Sequence, residues 1–324
     1  MITSRTHALQ DDRLQPQPAA AGQDPYPTRG TEERLLPRVD PVVYGDGRAP
    51  GPHGLTPAQI DFYERNGFLV VPDVFSAEEA DELLREQQAL AASEALRGRE
   101  ELILEPGSQI ARSIFNPQHF SERFAALASD PRILDKVHQI LDSEVYIHHA
   151  RVNIKSALNG KSFPWHSDFE TWHAEDGLPR CRVLSVWVML TENNAFNGPL
   201  YVIPGSHKTF VSCAGRTPDQ HHRRSLRRQE YGVPSIAALQ RLAQECGLAA
   251  AHGAPGTLVL HEGNTMHGSA ENMSPMPRTN LFFVYNSLLN RPGEKPFAAD
   301  RFRPEFLGSR DFTPVRRGAG GRSA

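Results

Sequence analysis

The sequence predicts an α+β fold whose antiparallel β core is closed as a barrel or a double-sheet jelly roll. Three observations carry this. Capped helical segments occupy the stretch before residue 142, strand-like segments punctuated by Gly, Pro and Asn dominate from Ser143 onward, and no internal repeat interrupts that order. Helices first and many strands afterwards indicate α+β, and closing the sheet removes the exposed edges that so many strands would otherwise leave.

The elements follow in order. Thr56, Pro57 and Gln59 read as an N-cap, a proline at the first helical position and a capping-box partner, so a helix should run to Asn66 and stop at Gly67. Ser76 and Glu79 repeat the capping box and open a helix to about Ala92, with Leu83, Leu84, Leu90 and Ala91 on one face. Asp130-Pro131 opens a third, with Ile133, Leu134, Val137, Ile140 and Leu141 at helical spacing. Strands are expected over 145–154, 182–190, 199–203, 257–261 and 280–286.

Composition limits the function classes. The 324 residues carry 38 acidic and 35 basic side chains, a formal charge of −3, which argues against nucleic acid as a partner. The longest mostly apolar stretch, 183–190, is broken by Ser185 and is far shorter than the roughly 20 residues that span a bilayer, so no membrane partner is expected. The first residues lack a charged-then-apolar leader pattern, and a cytoplasmic location is expected. Cys181, Cys213 and Cys246 are far apart and without C-x-x-C spacing, which disfavours both disulfides and a thiolate zinc site.

Residues 1–55 hold 8 of the 26 prolines and read as a disordered or loosely packed extension, and 313–324 as a flexible tail. One catalytic domain over 56–312 remains. The basic stretch 221–228 lies in a long insert between strands and reads as a solvated helix face or a binding patch.

The sharpest motif is Trp165-His166-Ser167-Asp168, followed 99 positions after Asp168 by His267 in Asn264-Thr265-Met266-His267-Gly268-Ser269. Two histidines and one carboxylate can occupy one face of an octahedral Fe(II), leaving positions for a chelating cosubstrate and O₂. In H-x-D an extended backbone points residues i and i+2 to the same side. Arg278, 11 residues after His267, is placed to pair bidentately with a carboxylate on the next strand. A bare H-x-D is weak evidence among 14 histidines; the ordered set with the late His and Arg is much stronger.

The segment 163–179, Phe-Pro-Trp-His-Ser-Asp-Phe-Glu-Thr-Trp-His-Ala-Glu-Asp-Gly-Leu-Pro, resembles the signature of ectoine hydroxylases, within the phytanoyl-CoA dioxygenase superfamily of non-haem iron enzymes. The resemblance extends over about 56–308, through Arg112-Ser-Ile-Phe115, Asn197-Gly-Pro-Leu200, Pro204-Gly-Ser-His207, Gln229-Glu-Tyr-Gly-Val-Pro234 and Phe282-Phe-Val-Tyr-Asn-Ser287. It implies a cupin-like double-stranded β-helix with flanking helices, and hydroxylation coupled to conversion of 2-oxoglutarate to succinate. Position by position it implies His166, Asp168 and His267 as iron ligands. It implies Asn153, Phe163, Ser185, Ser269 and Arg278 as the 2-oxoglutarate site, with Arg278 on the distal carboxylate. Phe115, Trp172, Asn280 and Phe282 match substrate-side positions. Asp168 stands where related halogenases have a small residue, which favours hydroxylation. Related hydroxylases also suggest a homodimer.

Four departures fall near the expected substrate pocket: His149 where the family has Gln, His261 for Phe, Pro164 for Tyr, and Trp187 for a small polar residue. With His149, Trp187 and His261 as further substrate-binding residues, they predict a small zwitterion distinct from ectoine, a free or cyclic amino acid. Ectoine itself, hydroxylated at C5, is the alternative. A non-catalytic small-molecule-binding β-helix and a zinc hydrolase on the same three ligands are the readings from other classes. Several histidines are expected outside the site: His173 as a surface or supporting residue, His207 in a turn, and His148 in the packing layer opposite His149.

Overall fold

The computed structural model describes residues 24–48, 50–105, 107–218 and 231–318. The three expected helices are present as α1 (Pro57–Asn66), α2 (Ala77–Ala92) and α4 (Pro131–Leu141), with α3 (Glu122–Ala128) between the last two. Thr56 and Ser76 form the reciprocal capping boxes read from the sequence, and Gly67 ends α1 at φ 73°, a left-handed conformation that costs glycine little. Asp130 caps α4 by accepting from the Arg132 amide at 2.7 Å.

The strands are β1 (Arg34–Pro37), β2 (Phe68–Val71), β3 (Leu102–Leu104), β4 (Ala111–Phe115), β5 (Val145–Lys155) and β6 (Phe163–His166). They continue with β7 (Val183–Met189), β8 (Leu200–Val202), β9 (Thr209–Ser212), β10 (Ala249–Ala251), β11 (Leu258–Glu262), β12 (His267–Ser269) and β13 (Arg278–Ser287). Each of the five expected strands is there, its ends within two residues. Besides α3, two more helices are absent from the sequence expectation, α5 (Asp168–Asp176) and α6 (Ile236–Cys246).

A seven-stranded antiparallel sheet, ordered β2-β11-β7-β13-β5-β4-β3, stands against a four-stranded sheet ordered β10-β8-β12-β6, and a separate pair joins β1 to β9. This is the cupin-like double-stranded β-helix. Alternation along the large sheet separates two environments. Ala150, Val152, Val186, Val188, Leu281 and Phe283 pack with Tyr63, Leu83, Phe124, Leu134 and Val137 from the helices. The opposite face meets the small sheet around Phe169, Trp172, Trp187, Leu200, Phe282 and Val284. Fully burying one such Leu, Val or Phe contributes roughly 1.5–3 kcal/mol, so the helix layer anchors the sheet from outside while the inner face stays available for polar groups.

The N-terminal extension differs from the expectation of loose packing from residue 24 onward; residues 1–23 lie outside the described residues. Tyr26 is 1% exposed and its hydroxyl donates to Asp40 at 2.7 Å. Arg29 donates to both carboxylate oxygens of Glu170 at 2.6 and 2.8 Å and to Glu175 at 3.1 Å, and Arg38 pairs with Glu262 at 2.7 Å. Prolines here hold an extended chain that crosses α5 and adds β1 to β9, so a composition typical of disorder serves a packed strap. The tail is also engaged as far as residue 318, where Val315 donates to the Val145 carbonyl at 2.8 Å and Gly318 to that of Ser129 at 2.9 Å. The basic stretch 221–228 lies outside the described residues. Cys181 and Cys213 are buried free thiols and Cys246 is half-buried and free. Among the described residues, no helix is long and apolar enough to cross a membrane.

Arg29 and Glu170 are each about 1% exposed at the side chain, so removing the cation strands two buried carboxylates. Arg29→Met should lower unfolding free energy by roughly 3–5 kcal/mol in urea titration of the full chain. A loss under about 1 kcal/mol would mean the strap is draped rather than packed.

Candidate active site

The inner face of the large sheet arranges its side chains in ranks set by strand register. Lys155 stands beside Arg278; Asn153 between Ser113 and Asn280; Arg151 between Phe115 and Phe282, with Trp187 next; and His149, Val284, Ser185 and His261 form the last rank. Facing them are β6, β12 and α5. A cavity between the layers is lined by Phe115, His149, Arg151, Asn153, Phe163, His166, Asp168, Trp172, Trp187, His267, Ser269, Arg278 and Phe282, and also by Thr171, Glu175, Leu200, Tyr231, Gly268, Arg303 and Leu307. Of the expected site residues, Ser185, His261 and Asn280 are fully buried behind this wall rather than on it.

His166 ends β6, and Asp168 is the first residue of α5 rather than part of a continuing strand. The residue between them explains the turn. Ser167 keeps extended angles (φ −107°, ψ 128°), so residues i and i+2 still project together, while its hydroxyl accepts from the Glu170 amide as the helix N-cap. Opposite, β12 pairs with β6 and places His267 across from His166. The Nε2 atoms of His166 and His267 lie 3.6 and 3.8 Å from the two Asp168 carboxylate oxygens, and ligand atoms of all three fall within 4.8 Å of one another. One ion can bridge them.

Each imidazole is oriented by the backbone. His166 Nδ1 donates to the Pro164 carbonyl at 2.7 Å and His267 Nδ1 to that of Thr265 at 3.0 Å, which leaves both Nε2 lone pairs for a metal. Burial, with His166 alongside, lowers the His267 pKa to about 3, so the ring is neutral as a ligand must be. Burial works to raise Asp168, but the imidazoles of His267, His166 and His261 outweigh it and hold the carboxyl below its usual range.

The far end of the cavity is cationic. The Phe163 ring has the Arg112 and Arg151 guanidiniums at 5.0 Å and the Lys155 ammonium at 5.3 Å. Desolvation lowers Arg278 and Arg151 to about 9 each, with Arg112 adding repulsion at Arg151, and Lys155 to about 6. Arg112 has Glu105 at 3.7 Å. Arg151 meets only Ser113 Oγ and aromatic rings, Arg278 only the Gly198 carbonyl and Asn280, and neither has a carboxylate partner among the described residues. An anion entering here relieves that strain on the charges.

Fit to a cosubstrate can be judged from buried polar atoms left without partners. Asn153 Oδ1, Trp187 Nε1 and Arg278 Nε, on the cavity wall, are all in that state, and Ser185 Oγ and His261 Nε2 are in it behind the wall. Buried polar groups are nearly always satisfied, so three orphans on one cavity wall mark a place where a polar molecule binds. Asn280, expected among the substrate-side residues, sits in the Asn153 rank and within 3.1 Å of Arg278 Nη1.

Two outer histidines keep supporting roles. His173 is fully buried between the Leu178 carbonyl and Asp24, and His207 faces the Glu64 carbonyl. His148 departs from expectation. The register skips it between Val284↔His149 and Tyr285↔Ile147, so it is the extra residue of a β-bulge. A bulge breaks strict alternation, and His148 turns toward α5 instead of the helix layer, bonding Asp176 at 3.0 Å and lying 5.8 Å from the Trp172 ring. Arg151 and Arg303 are cavity residues the sequence reading missed. Arg151 was within reach, since alternation between His149 and Asn153 points it inward. Arg303 comes from an irregular segment and carries no periodic signal.

A two-histidine, one-carboxylate set facing orphaned polar atoms and unpaired guanidiniums in a double-stranded β-helix defines a non-haem iron, 2-oxoglutarate-dependent oxygenase. A phytanoyl-CoA dioxygenase (PhyH) family model matches residues 63–280, and the chain belongs to that family. It is 49% identical to the ectoine dioxygenase of Halomonas elongata over 300 residues, 92% of this chain and 89% of that protein. The ectoine dioxygenase of Streptomyces coelicolor is 46% identical over 293 residues, 90% of this chain and 97% of that one. The crystal structure of EctD from S. alaskensis with 2-oxoglutarate and 5-hydroxyectoine superposes with a TM-score of 0.82 at 41% identity, covering 92% of this chain and 99% of that chain.

Asp176, at the end of α5, is the joint between the site and the C-terminal segment: His148 and Arg303 both bind it. Burial raises its pKa, but the Arg303 guanidinium and His148 bring it down to about 2. A carboxyl depressed on folding stabilises fully above its unfolded pKa near 4, and that stabilisation is lost as pH falls toward 2. Native stability should therefore drop by on the order of 2 kcal/mol across that window through this group. Asp176→Asn should flatten that part of the pH–stability curve measured by denaturant titration; an unchanged slope would remove Asp176 as its source.

Proposed function

We propose that this chain hydroxylates ectoine, converting 2-oxoglutarate and O₂ to succinate and CO₂ as one oxygen atom enters a substrate C–H bond. The observation that carries the reading is the pair of buried, carboxylate-free guanidiniums beside the triad. 2-Oxoglutarate, held with its distal carboxylate on Arg278, leaves Arg151 without an anion. A substrate carrying its own carboxylate completes the balance, and ectoine is such a zwitterion.

His166, Asp168 and His267 would hold Fe(II), which supplies the open coordination positions for cosubstrate chelation and O₂ activation. Asn153 and Ser269 would hold polar groups of 2-oxoglutarate, with the Phe163 ring against its chain, while Ser185 lies behind the wall in the His149 rank. Phe115, Trp172 and Phe282 would exclude water around the substrate, and Arg151 would orient it through the carboxylate.

The distinct zwitterion expected from four sequence departures gives way to ectoine as the proposed substrate. Near-full-length identity of 44–49% to proteins named ectoine dioxygenase supports this. So does the location of the departures. Pro164 contributes its carbonyl to His166, which any residue could do. Trp187 stacks on Phe282 at 4.8 Å, and His261 is buried behind the triad. Of the four, only His149 and Trp187 line the cavity, and His149 exchanges an amide for an imidazole there.

Purified enzyme with Fe(II), 2-oxoglutarate and ectoine should form succinate and hydroxyectoine in equal amounts. Chelation should stop both, and Fe(II) but not Zn(II) should restore them. Asp168→Ala and His267→Ala should each lose iron binding and turnover. Arg278→Met should raise the KM for 2-oxoglutarate, and Arg151→Met that for ectoine, each by roughly 30-fold or more, since each strands a desolvated carboxylate. Near-normal activity in both triad variants would refute the metal assignment, and succinate formation with other zwitterions but not ectoine would refute the substrate.

A further inference from the structure

His149 carries a hydrogen-bond polarity that the geometry settles. Its Nδ1 lies 3.0 Å from the Leu307 carbonyl oxygen. A carbonyl only accepts, so Nδ1 bears the proton, and in the neutral ring Nε2 is left as a bare acceptor. His149 lines the cavity, with the Phe115 and Phe282 rings at 5.5 and 5.6 Å on its flanks, so Nε2 is the one polar atom it can offer a ligand. The Leu307 carbonyl is held in turn. It also accepts from Arg303 Nη2 at 3.3 Å, and Arg303 is clamped on Asp176. The C-terminal segment thus locks the tautomer, and burial keeps the ring neutral at working pH.

Arg151 lies two residues along the same strand face, about 7 Å away by strand rise. An acceptor and a guanidinium rooted on neighbouring inward positions of one strand, between aromatic faces, suit a small zwitterion that presents both an N–H and a carboxylate. We infer that His149 is a specificity-determining residue whose Nε2 accepts an N–H from the cationic end of the substrate while Arg151 takes the carboxylate. This rests on the proposed hydroxylation of a zwitterion in this cavity and adds which end faces which residue. A glutamine amide could turn either its donor or its acceptor toward a ligand. The anchored imidazole can only accept, so it selects zwitterions bearing an N–H and rejects fully N-alkylated betaines.

The test uses the full chain with 2-oxoglutarate and Zn(II) in place of iron, so that binding is read without turnover. Calorimetry would compare ectoine, L-proline and N,N-dimethylproline against wild type, His149→Gln and His149→Phe. Wild type should bind ectoine and prefer proline to its dimethyl betaine by at least tenfold. His149→Gln should hold ectoine within about threefold, because the amide oxygen still accepts. His149→Phe should lose tenfold or more and the preference for an N–H, with 2-oxoglutarate affinity unchanged as the check on folding. The imidazole ¹⁵N spectrum should show the Nδ1–H tautomer with Nε2 shifting on ligand addition. An Nε2–H tautomer, equal binding of proline and its betaine, unchanged binding by the Phe variant, or no zwitterion bound at all would overturn the assignment. If proline but not ectoine binds with the N–H preference intact, the His149 assignment stands and the ectoine reading fails.

Discussion

The cavity depends on the register of β5 against β13. Ten pairs join these strands, and they decide that His149, Arg151, Asn153 and Lys155 face inward with Arg278, Asn280, Phe282 and Val284, while Ala150 and Val152 face the helices. A slip of one residue in β5 would exchange its two faces, placing Arg151 and Lys155 against Leu134 and Val137 and leaving an alkyl wall in the site. Burial on both faces makes that exchange prohibitively costly. The bulge at His148 then ends the inward run, and this is how adjacent histidines come to different uses. One lines the cavity, and the other ties the strand to α5 through Asp176.

That tie belongs to a chain of buried charges that fixes α5, and therefore Asp168 at its first turn. Arg29 from the N-terminal strap binds Glu170 and Glu175, and Arg303 from the C-terminal segment binds Asp176. Buried ion pairs often contribute little net stability against an apolar alternative. Here they contribute position: two segments distant in sequence hold the same short helix through Glu170, Glu175 and Asp176, in addition to its buried Phe169 and Trp172. The helix needs this, because it is only nine residues long and its own sequence offers no strong apolar stripe.

Legibility in the sequence followed signal type. Helices α1, α2 and α4 announce themselves through side-chain caps, which are local, and the five main strands through alternation and β-branched runs. The metal triad was legible because its three residues are uncommon in that order. What stayed hidden was determined by distant partners. The strap at 24–40 has the proline content of a disordered segment, and its order comes from Tyr26, Arg29 and Arg38 finding acceptors far along the chain. Helix α5 was masked by its polar face, which is buried against those same partners. Strict alternation misplaced His148 because a bulge is invisible until both strands are paired.

The departures from the family pattern show why a residue change in a pocket has to be weighed by what its atoms meet. Four substitutions read together suggested a rebuilt site, yet they are not equivalent. At position 164 only the backbone carbonyl acts on the triad. The indole at 187 extends an aromatic stack already supplied by Phe282. The imidazole at 261 keeps its Nδ1 near the Glu262 carbonyl at 3.3 Å and its Nε2 4.0 Å from Asp168, beyond hydrogen-bond reach. The two departures on the cavity wall differ in kind: 187 adds volume and an indole N–H, and at 149 the change is one of hydrogen-bond polarity. Discrimination by a buried polar group far exceeds that by a missing methylene, because the wrong ligand leaves the group unpaired. A single anchored imidazole can therefore narrow the accepted ligands without touching Lys155 and Arg278, three ranks away across the same pair of strands.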